Sequence, residues 1–145
     1  MATAREPDCR FCAIVRGEAP AARVYEDAHT VAFLDRRPLF PGHVLLVPRR
    51  HVATLPEVSD RVLGPLFRAV RRLADAVPRA LEAEGSFVAI NNRVSQSVPH
   101  LHVHVVPRRR GDGLRGFFWP RTRYRDEAHM HEVAARIRAV LTEGD

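Results

Sequence analysis

Lysine is missing altogether. All 23 cationic side chains of the 145-residue chain are arginine, against 17 acidic residues, which gives a formal net charge of +6. A GC-rich coding bias explains that exclusive use of arginine more simply than selection for guanidinium chemistry. The excess of positive charge still favours anionic ligands, nucleotides and nucleic acid alike. Cysteine occurs only as Cys9 and Cys12. A single C-x-x-C in a chain with no secretory signal excludes a disulfide framework and points to metal binding or redox chemistry. Long apolar runs are also missing: no segment approaches a bilayer span, and Arg5, Glu6, Asp8 and Arg10 break up the first residues where a signal peptide needs an apolar core. Neither membrane insertion nor export is expected, and the expected location is the cytoplasm. There are no internal repeats and no low-complexity tracts, so solenoid and fibrous architectures are excluded.

What is present suits one soluble domain spanning residues 1–145, with 46% hydrophobic and 28% charged residues. Cys9 to Arg16 reads as a short helix stopped by Gly17. Val24 to Glu26 and Thr30 to Leu34 read as strands joined by a turn at Asp27, Ala28 and His29, and His43 to Val47 is a further strand closed by Pro48. From Ser59 onward Val62, Leu63, Leu66, Phe67, Val70, Leu73, Ala74 and Val77 keep helical spacing, with Arg68, Arg71, Arg72 and Asp75 opposite. Gly64-Pro65 disturbs the start, so the continuous helix is expected from Pro65. Phe87 to Ile90 and Leu101 to Val106 are two more strands, and Val133, Ile137, Val140 and Leu141 mark a final amphipathic helix. Strands mixed with two main helices, without regular alternation, predict an α+β fold with a largely antiparallel sheet of about five strands.

The most informative stretch is PHLHVHVVPRR, from Pro99 to Arg109. On a strand, alternate residues share a face, so His100, His102 and His104 are expected on one side and Leu101, Val103 and Val105 on the other. A rise of about 3.3 Å per residue puts neighbouring histidines of the set roughly 6 to 7 Å apart at the backbone, close enough for two to converge on one ligand. The outer pair is about twice as far apart, which favours a division of labour over one metal held by all three. Neutral imidazole is both nucleophile and metal ligand, so the pattern points to nucleotidyl transfer through a histidine or to metal binding.

The run H-L-H-V-H-V-V resembles the signature of the histidine triad superfamily of nucleotide hydrolases and transferases. C-R-F-C near the start, the segment VYEDAHTVAFLDRRPLFPGHVLLVPRRHV from Val24 to Val52, and INNRVSQSVPHLHVHVVPR from Ile90 to Arg108 agree with it in order. The resemblance implies a histidine-triad fold with core motifs over about residues 9–108 and an extension with a helix over 109–145. It makes His102 the nucleophile that attacks the α-phosphorus of a nucleotide, with its other ring nitrogen held by a main-chain carbonyl. It places His104 and Ser97 at the phosphate and leaving group, and His100 beside them in the catalytic set. Asp35 corresponds to the carboxylate that accepts from both ribose hydroxyls. Asn91 or Asn92 corresponds to a phosphate-side asparagine, Gln96 precedes Ser97 as in relatives, and His43 corresponds to a histidine near the active site. Cys9, Cys12, His51 and His100 would bind one structural zinc per chain, since two thiolates and two imidazoles make a closed tetrahedral site. No organic cofactor is implied.

Two departures stand out. Only Arg93, Val94 and Ser95 separate Asn92 from Gln96, where relatives usually carry a longer Gly-rich loop, and Pro99 stands directly before the triad. The resemblance further implies a homodimer. The arginines interleaved with Phe117, Phe118, Trp119 and Tyr124 are therefore expected to pack across it, with nucleic acid not expected as a partner. His129 and His131 are expected to be solvated. The function implied is hydrolysis of a nucleotide conjugate through a nucleotidyl-histidine. The alternatives are transfer to phosphate or another non-water acceptor, a nucleotide- or nucleic-acid-binding protein with little turnover, and a zinc protein whose histidines are all ligands.

Overall fold

The structure, a computed structural model, describes residues 8–114 and 121–143. Its elements are α1 (Arg10–Val15), β1 (Arg23–Glu26), β2 (Thr30–Leu34), β3 (Val44–Pro48), α2 (Asp60–Ala80), β4 (Gly85–Ile90), β5 (Val103–Arg108) and α3 (Glu127–Glu143). The five strands form one antiparallel sheet in the order β1-β2-β3-β5-β4. The fold is therefore the α+β architecture expected from the sequence. Two compact units make up the chain, Met1–Asp112 and Gly113–Asp145, and α3 belongs to the second. No helix among the described residues is long and apolar enough to cross a membrane.

Alternation along the strands sorts side chains into two layers. Ala32, Val44, Leu46, Leu101, Val103 and Val105 face one side and pack on Leu66, Ala69, Val70, Leu73 and Val77 of α2. Their intervening neighbours Val31, Phe33, Leu45 and Val47 face the other side and pack on Cys9, Phe11 and Cys12 of the amino-terminal turn and on Val98. Each fully buried leucine or valine contributes about 1.5–3 kcal/mol, so both layers hold the sheet firmly. His104 is the register partner of Leu45, which puts it on the α1 side. The sheet thus has a packing face under α2 and a second face where the histidines meet the cysteines. The β1–β2 turn fell where expected because the Asp27 carboxylate accepts from the main-chain N–H groups of His29 and Thr30 at 2.8 and 2.7 Å.

Several boundaries differ from the sequence reading, among them β1 starting at Arg23, β4 at Gly85 and β5 ending at Arg108. α2 begins at Asp60 rather than Pro65, with Ser59 at its N-cap and the N–H groups of Val62 and Leu63 bonded to the Ser59 carbonyl. Proline at the sixth helical position removes one bond, to the carbonyl of Arg61; that residue is exposed, so water can replace the lost donor. β5 starts at Val103, so His100 and His102 precede the paired strand and only His104 lies within it. β3 runs from Val44 to Pro48, one residue later than expected. Of the final segment, Phe117, Phe118 and Trp119 lie outside the described residues. α3 forms as expected, with Ile137, Val140 and Leu141 exposed. His129 is not simply solvated: its Nδ1 accepts from the Arg125 N–H at 3.2 Å while its own N–H donates to Asp126 at 2.7 Å, a reciprocal cap on the helix start.

The carboxyl end of α2 carries a correctable strain. Glu82 has φ of 53°, the left-handed region, where the Ala83 N–H closes onto the Pro78 carbonyl at 2.8 Å. Glycine takes this position at no Cβ penalty. Glu82→Gly should therefore raise stability by about 0.5–1 kcal/mol in a chemical-denaturation measurement, and a loss of stability would refute that account.

Candidate active site and metal centre

The histidines are sorted by what each ring nitrogen touches. His102 Nδ1 lies 2.8 Å from the main-chain carbonyl of His100. A carbonyl only accepts, so Nδ1 carries a proton, and the tautomer this favours is the one whose lone pair is on Nε2. His102 is buried, with its ring edge-on to Phe11 at 5.1 Å and to His104 at 5.0 Å. The bond selects one tautomer of the ring, Nδ1–H, and that tautomer is the nucleophilic form.

His104 is fixed by a second chain of bonds. The Leu39 N–H donates to His43 Nδ1 at 3.1 Å, so the neutral His43 ring carries its proton on Nε2. That nitrogen lies 2.9 Å from His104 Nδ1 and donates to it. His104 must then hold its own proton on Nε2, as a hydrogen-bond donor facing away from His43. Asp35 Oδ2 stands 3.8 Å from His43 Nε2, and Oδ1 accepts from the Arg37 N–H at 2.9 Å. Asp35, His43 and His104 bring three ligand-type atoms within 4.8 Å of one another. Because His43 Nε2 is protonated, a metal there would need an imidazolate, so the cluster reads as a hydrogen-bond relay.

The pKa of His104 is pushed down to about 4, first by burial and then by the neighbouring His102 and His43, with Asp35 opposing. His43 is lowered too, chiefly by burial. Both are therefore neutral near pH 7. In the unfolded chain a histidine titrates near its ordinary value of about 6.5, so below that pH the unfolded state binds more protons than the fold. This contribution to stability is complete above about pH 6.5 and is lost as the pH falls toward 4. The midpoint of thermal unfolding should drop across that window, and His104→Gln should flatten the drop. An unchanged slope in the variant would remove His104 from the account.

The second cluster sits behind the first. His100 Nε2 lies 2.9 Å from the Pro48 carbonyl and must donate to it, which leaves one lone pair on Nδ1. Toward that lone pair come Cys9 Sγ at 3.2 Å and Cys12 Sγ at 3.4 Å, and Cys12 Sγ is 3.4 Å from His51 Nδ1. One lone pair cannot properly accept from two thiols, whereas four donors converging within 4.8 Å of one another suit a cation. With Zn–S near 2.3 Å and Zn–N near 2.05 Å, the N···S edges of a tetrahedral site are about 3.5 Å, close to those seen here. The residues fit zinc. Burial pushes His100 down to about 4, which keeps its Nδ1 free to ligate.

The remaining expected residues line one loop. Asn91 and Asn92 follow β4 and are exposed, and the Asn92 side-chain oxygen accepts from the Leu55 N–H at 2.9 Å. Gln96 is committed at both ends, accepting from the Arg93 N–H at 2.9 Å and donating to the Ala53 carbonyl at 2.6 Å. Ser97 is exposed at the end of this loop. Arg93 and Ser95 have φ of 72° and 61°, so the short loop makes with non-glycine residues the left-handed turns that a Gly-rich one makes freely. His43 is buried and reaches His104 rather than open space. Sequence reasoning missed that bond and missed Phe11, which lies between the two cysteines and packs against both His100 and His102. Residue parity on β3 held a signal: His43, Leu45 and Val47 alternate onto one face.

Comparison with known proteins follows the same lines. The family model described as HIT domain matches residues 16–111. A HIT-like protein of Mycobacterium tuberculosis is 42% identical over 108 residues, covering 73% of this chain and 75% of its own length. The adenosine 5'-monophosphoramidase of Candida albicans is 36% identical over 124 residues, 81% of each chain. The adenylylsulfatase of Arabidopsis thaliana is 35% identical over 109 residues, 74% of this chain and 55% of that protein. Among solved structures, a Streptococcus mutans protein superposes with a TM-score of 0.84 at 34% identity, covering 92% of this chain and 85% of the other. A zinc-bound histidine triad family protein from Mycobacterium smegmatis superposes with a TM-score of 0.71 at 37% identity, covering 97% and 99%.

Proposed function

The chain belongs to the HIT domain family, and from that premise we propose that it is a nucleotide hydrolase acting at the α-phosphate of a nucleotide conjugate through a covalent intermediate on His102. The observation that carries the reading is the His102 Nδ1–H bond to the His100 carbonyl, which selects the tautomer whose lone pair is on Nε2. The Nε2 lone pair forms a bond to the α-phosphorus as the bond from phosphorus to the leaving group breaks. The leaving group departs with the electron pair, and the Ser97 hydroxyl donates a hydrogen bond to it. Charge on the phosphoryl oxygens is met by the Nε2–H of His104. Water then attacks the same phosphorus, the P–N bond breaks, the nucleoside monophosphate leaves, and the water proton passes to solvent. Two easier displacements replace one hard one.

Asp35 is assigned to the ribose hydroxyls, through its Oδ2. Asn91, Asn92, Gln96 and His43 shape the phosphate side; of these only Asn91 is proposed to face the phosphate directly, because Asn92 and Gln96 are tied into the loop. Cys9, Cys12, His51 and His100 would hold one zinc per chain, which when bound supplies a cross-link between the amino-terminal turn and the histidine segment. The phosphoramidase and adenylylsulfatase relatives favour adenylyl conjugates with small leaving groups. Product analysis by liquid chromatography with adenosine phosphoramidate, adenylyl sulfate and a diadenosine polyphosphate tests the reading. Release of AMP from at least one supports it, and AMP binding without cleavage of any would move the protein to a binding role.

The working form is proposed to be a homodimer in the cytoplasm. β4 is an edge of the sheet, and Val88 on it and Leu63 and Phe67 on α2 are exposed apolar residues. Light scattering should read twice the 16.4 kDa chain mass; a monomer mass at micromolar concentration refutes the dimer.

A further inference from the structure

We propose that Arg93 is a specificity-determining residue whose guanidinium meets an anionic leaving group, so that the site prefers adenylyl conjugates of sulfate or phosphate to those of amines. The inference rests on the hydrolase reading given above and deepens it by naming the class of leaving group. Where that group lies follows from the strands. Asp35 Oδ2 is 3.8 Å from His43 Nε2, which in turn is 2.9 Å from His104 Nδ1, so the ribose carboxylate joins the row of histidines at His104. β4 runs antiparallel to β5, with Ala89 opposite His104 and Ile90 opposite Val103, so the chain after Ile90 continues toward His102 and away from the Asp35 end. A nucleotide with its ribose at Asp35 and its α-phosphorus at His102 therefore points its leaving group toward loop 91–97.

The loop bridges that end of the site. β5 lies between β3 and β4, yet the loop leaving β4 is bonded to the segment that follows β3: Asn92 Oδ1 accepts from the Leu55 N–H at 2.9 Å, and Gln96 Nε2 donates to the Ala53 carbonyl at 2.6 Å. It thus spans the amino end of β5, where His102 stands one residue ahead of the strand. Arg93 is pinned within the bridge, its N–H bonded at 2.9 Å to the side chain of Gln96, the residue next to Ser97. Its side chain is exposed. Arg108 and Arg110 are committed to Asp112 and Glu84, whereas among the described residues no ion pair holds Arg93. Its φ of 72° lies where glycine sits without strain, and backbone strain of this kind clusters at functional sites. A guanidinium presents paired N–H donors that match two oxygens of a sulfate or phosphate. As the bond from the α-phosphorus to the bridging oxygen breaks, the electron pair stays on the departing sulfate or phosphate, and Arg93 meets that added charge. An amine departs with an added proton instead and offers a guanidinium no anion to bind.

The test compares kcat/KM for adenylyl sulfate and for adenosine phosphoramidate in the native protein, Arg93→Gln and Arg93→Lys. The ratio of the first to the second should fall about 10- to 100-fold in Arg93→Gln, the loss of one charge-assisted contact. A general loss from a loosened loop cancels out of that ratio. Arg93→Lys keeps the charge but not the planar fork, and its ratio should lie between the other two. An unchanged ratio in Arg93→Gln overturns the proposal. So does a ratio in Arg93→Lys as low as that in Arg93→Gln, which would make the shape of the loop responsible, and so does native protein that cleaves the phosphoramidate alone. Calorimetry with ADP and AMP separates this inference from the hydrolase reading, because the β-phosphate of ADP takes the leaving-group place and AMP leaves it empty. The native protein should bind ADP about 10-fold more tightly than AMP, and Arg93→Gln should erase the difference. That result in a protein that cleaves no adenylyl substrate keeps the role of Arg93 and sinks the hydrolase reading. Cleavage with a ratio indifferent to Arg93 does the reverse, and a protein that neither cleaves nor distinguishes ADP from AMP overturns both.

Discussion

Replacing His102 with alanine should lower AMP release by about 10,000-fold or more, because under the proposed mechanism the protein loses its covalent step and keeps only binding and hydrogen-bond donors. The magnitude follows from the division of roles. His104 Nε2–H and Ser97 would still meet the phosphate, so affinity for AMP, read by calorimetry, should change little. The native protein, quenched in acid's alternative, cold alkali, during turnover should show an intact-mass increase of one nucleotidyl group, since a phosphorus–nitrogen bond survives base better than acid; the variant should not. Full activity in His102→Ala, or a trapped group on another residue, would end the covalent reading. His102 is itself packed on Phe11 and His104, so the variant needs a folding control, and unchanged circular dichroism with an intact melting transition supplies it.

Much of the layout of this candidate site is legible in the sequence alone. Strict alternation in LHVHVV separates a packing face from a chemical one whatever the fold, and Leu101, Val103 and Val105 do pack beneath α2. The C-x-x-C spacing is short enough to survive as one turn, so Cys9 and Cys12 were readable as a pair. Elements driven by local periodicity came through for the same reason. What stayed hidden depends on register. The bond between His43 and His104 spans 61 residues and exists because β3 pairs with β5 so that Leu45 stands opposite His104. No local pattern states that pairing. The start of α2 was misplaced because a proline in the first turns looks like a barrier, whereas an exposed carbonyl partner makes its cost small. The start of β5 was misplaced because alternation shows facing, not hydrogen bonding: His100 and His102 face as strand residues do without being paired.

The second large effect belongs to His43, a residue that reaches the reaction only through another. Its Nδ1 accepts from Leu39 N–H and its Nε2–H donates to His104 Nδ1, so under the proposed mechanism it dictates that His104 presents a proton to the phosphate. His43→Ala removes the dictation. His104 can then take the Nδ1–H form and turn a lone pair toward a phosphoryl oxygen, which repels where a donor should attract. Losing one such donor typically costs about 100-fold or more in kcat, and that is the loss expected here, with KM changed far less. His43→Gln separates this from mere packing. A glutamine amide N–H occupies roughly the place of Nε2–H and can still donate to His104, so it should recover a good part of the rate lost in the alanine variant, even though both replace a buried ring. Equal damage from the two substitutions, or a rise in KM with kcat preserved, would show that His43 supports the loop from Asp35 to His43 and does not set the tautomer of His104.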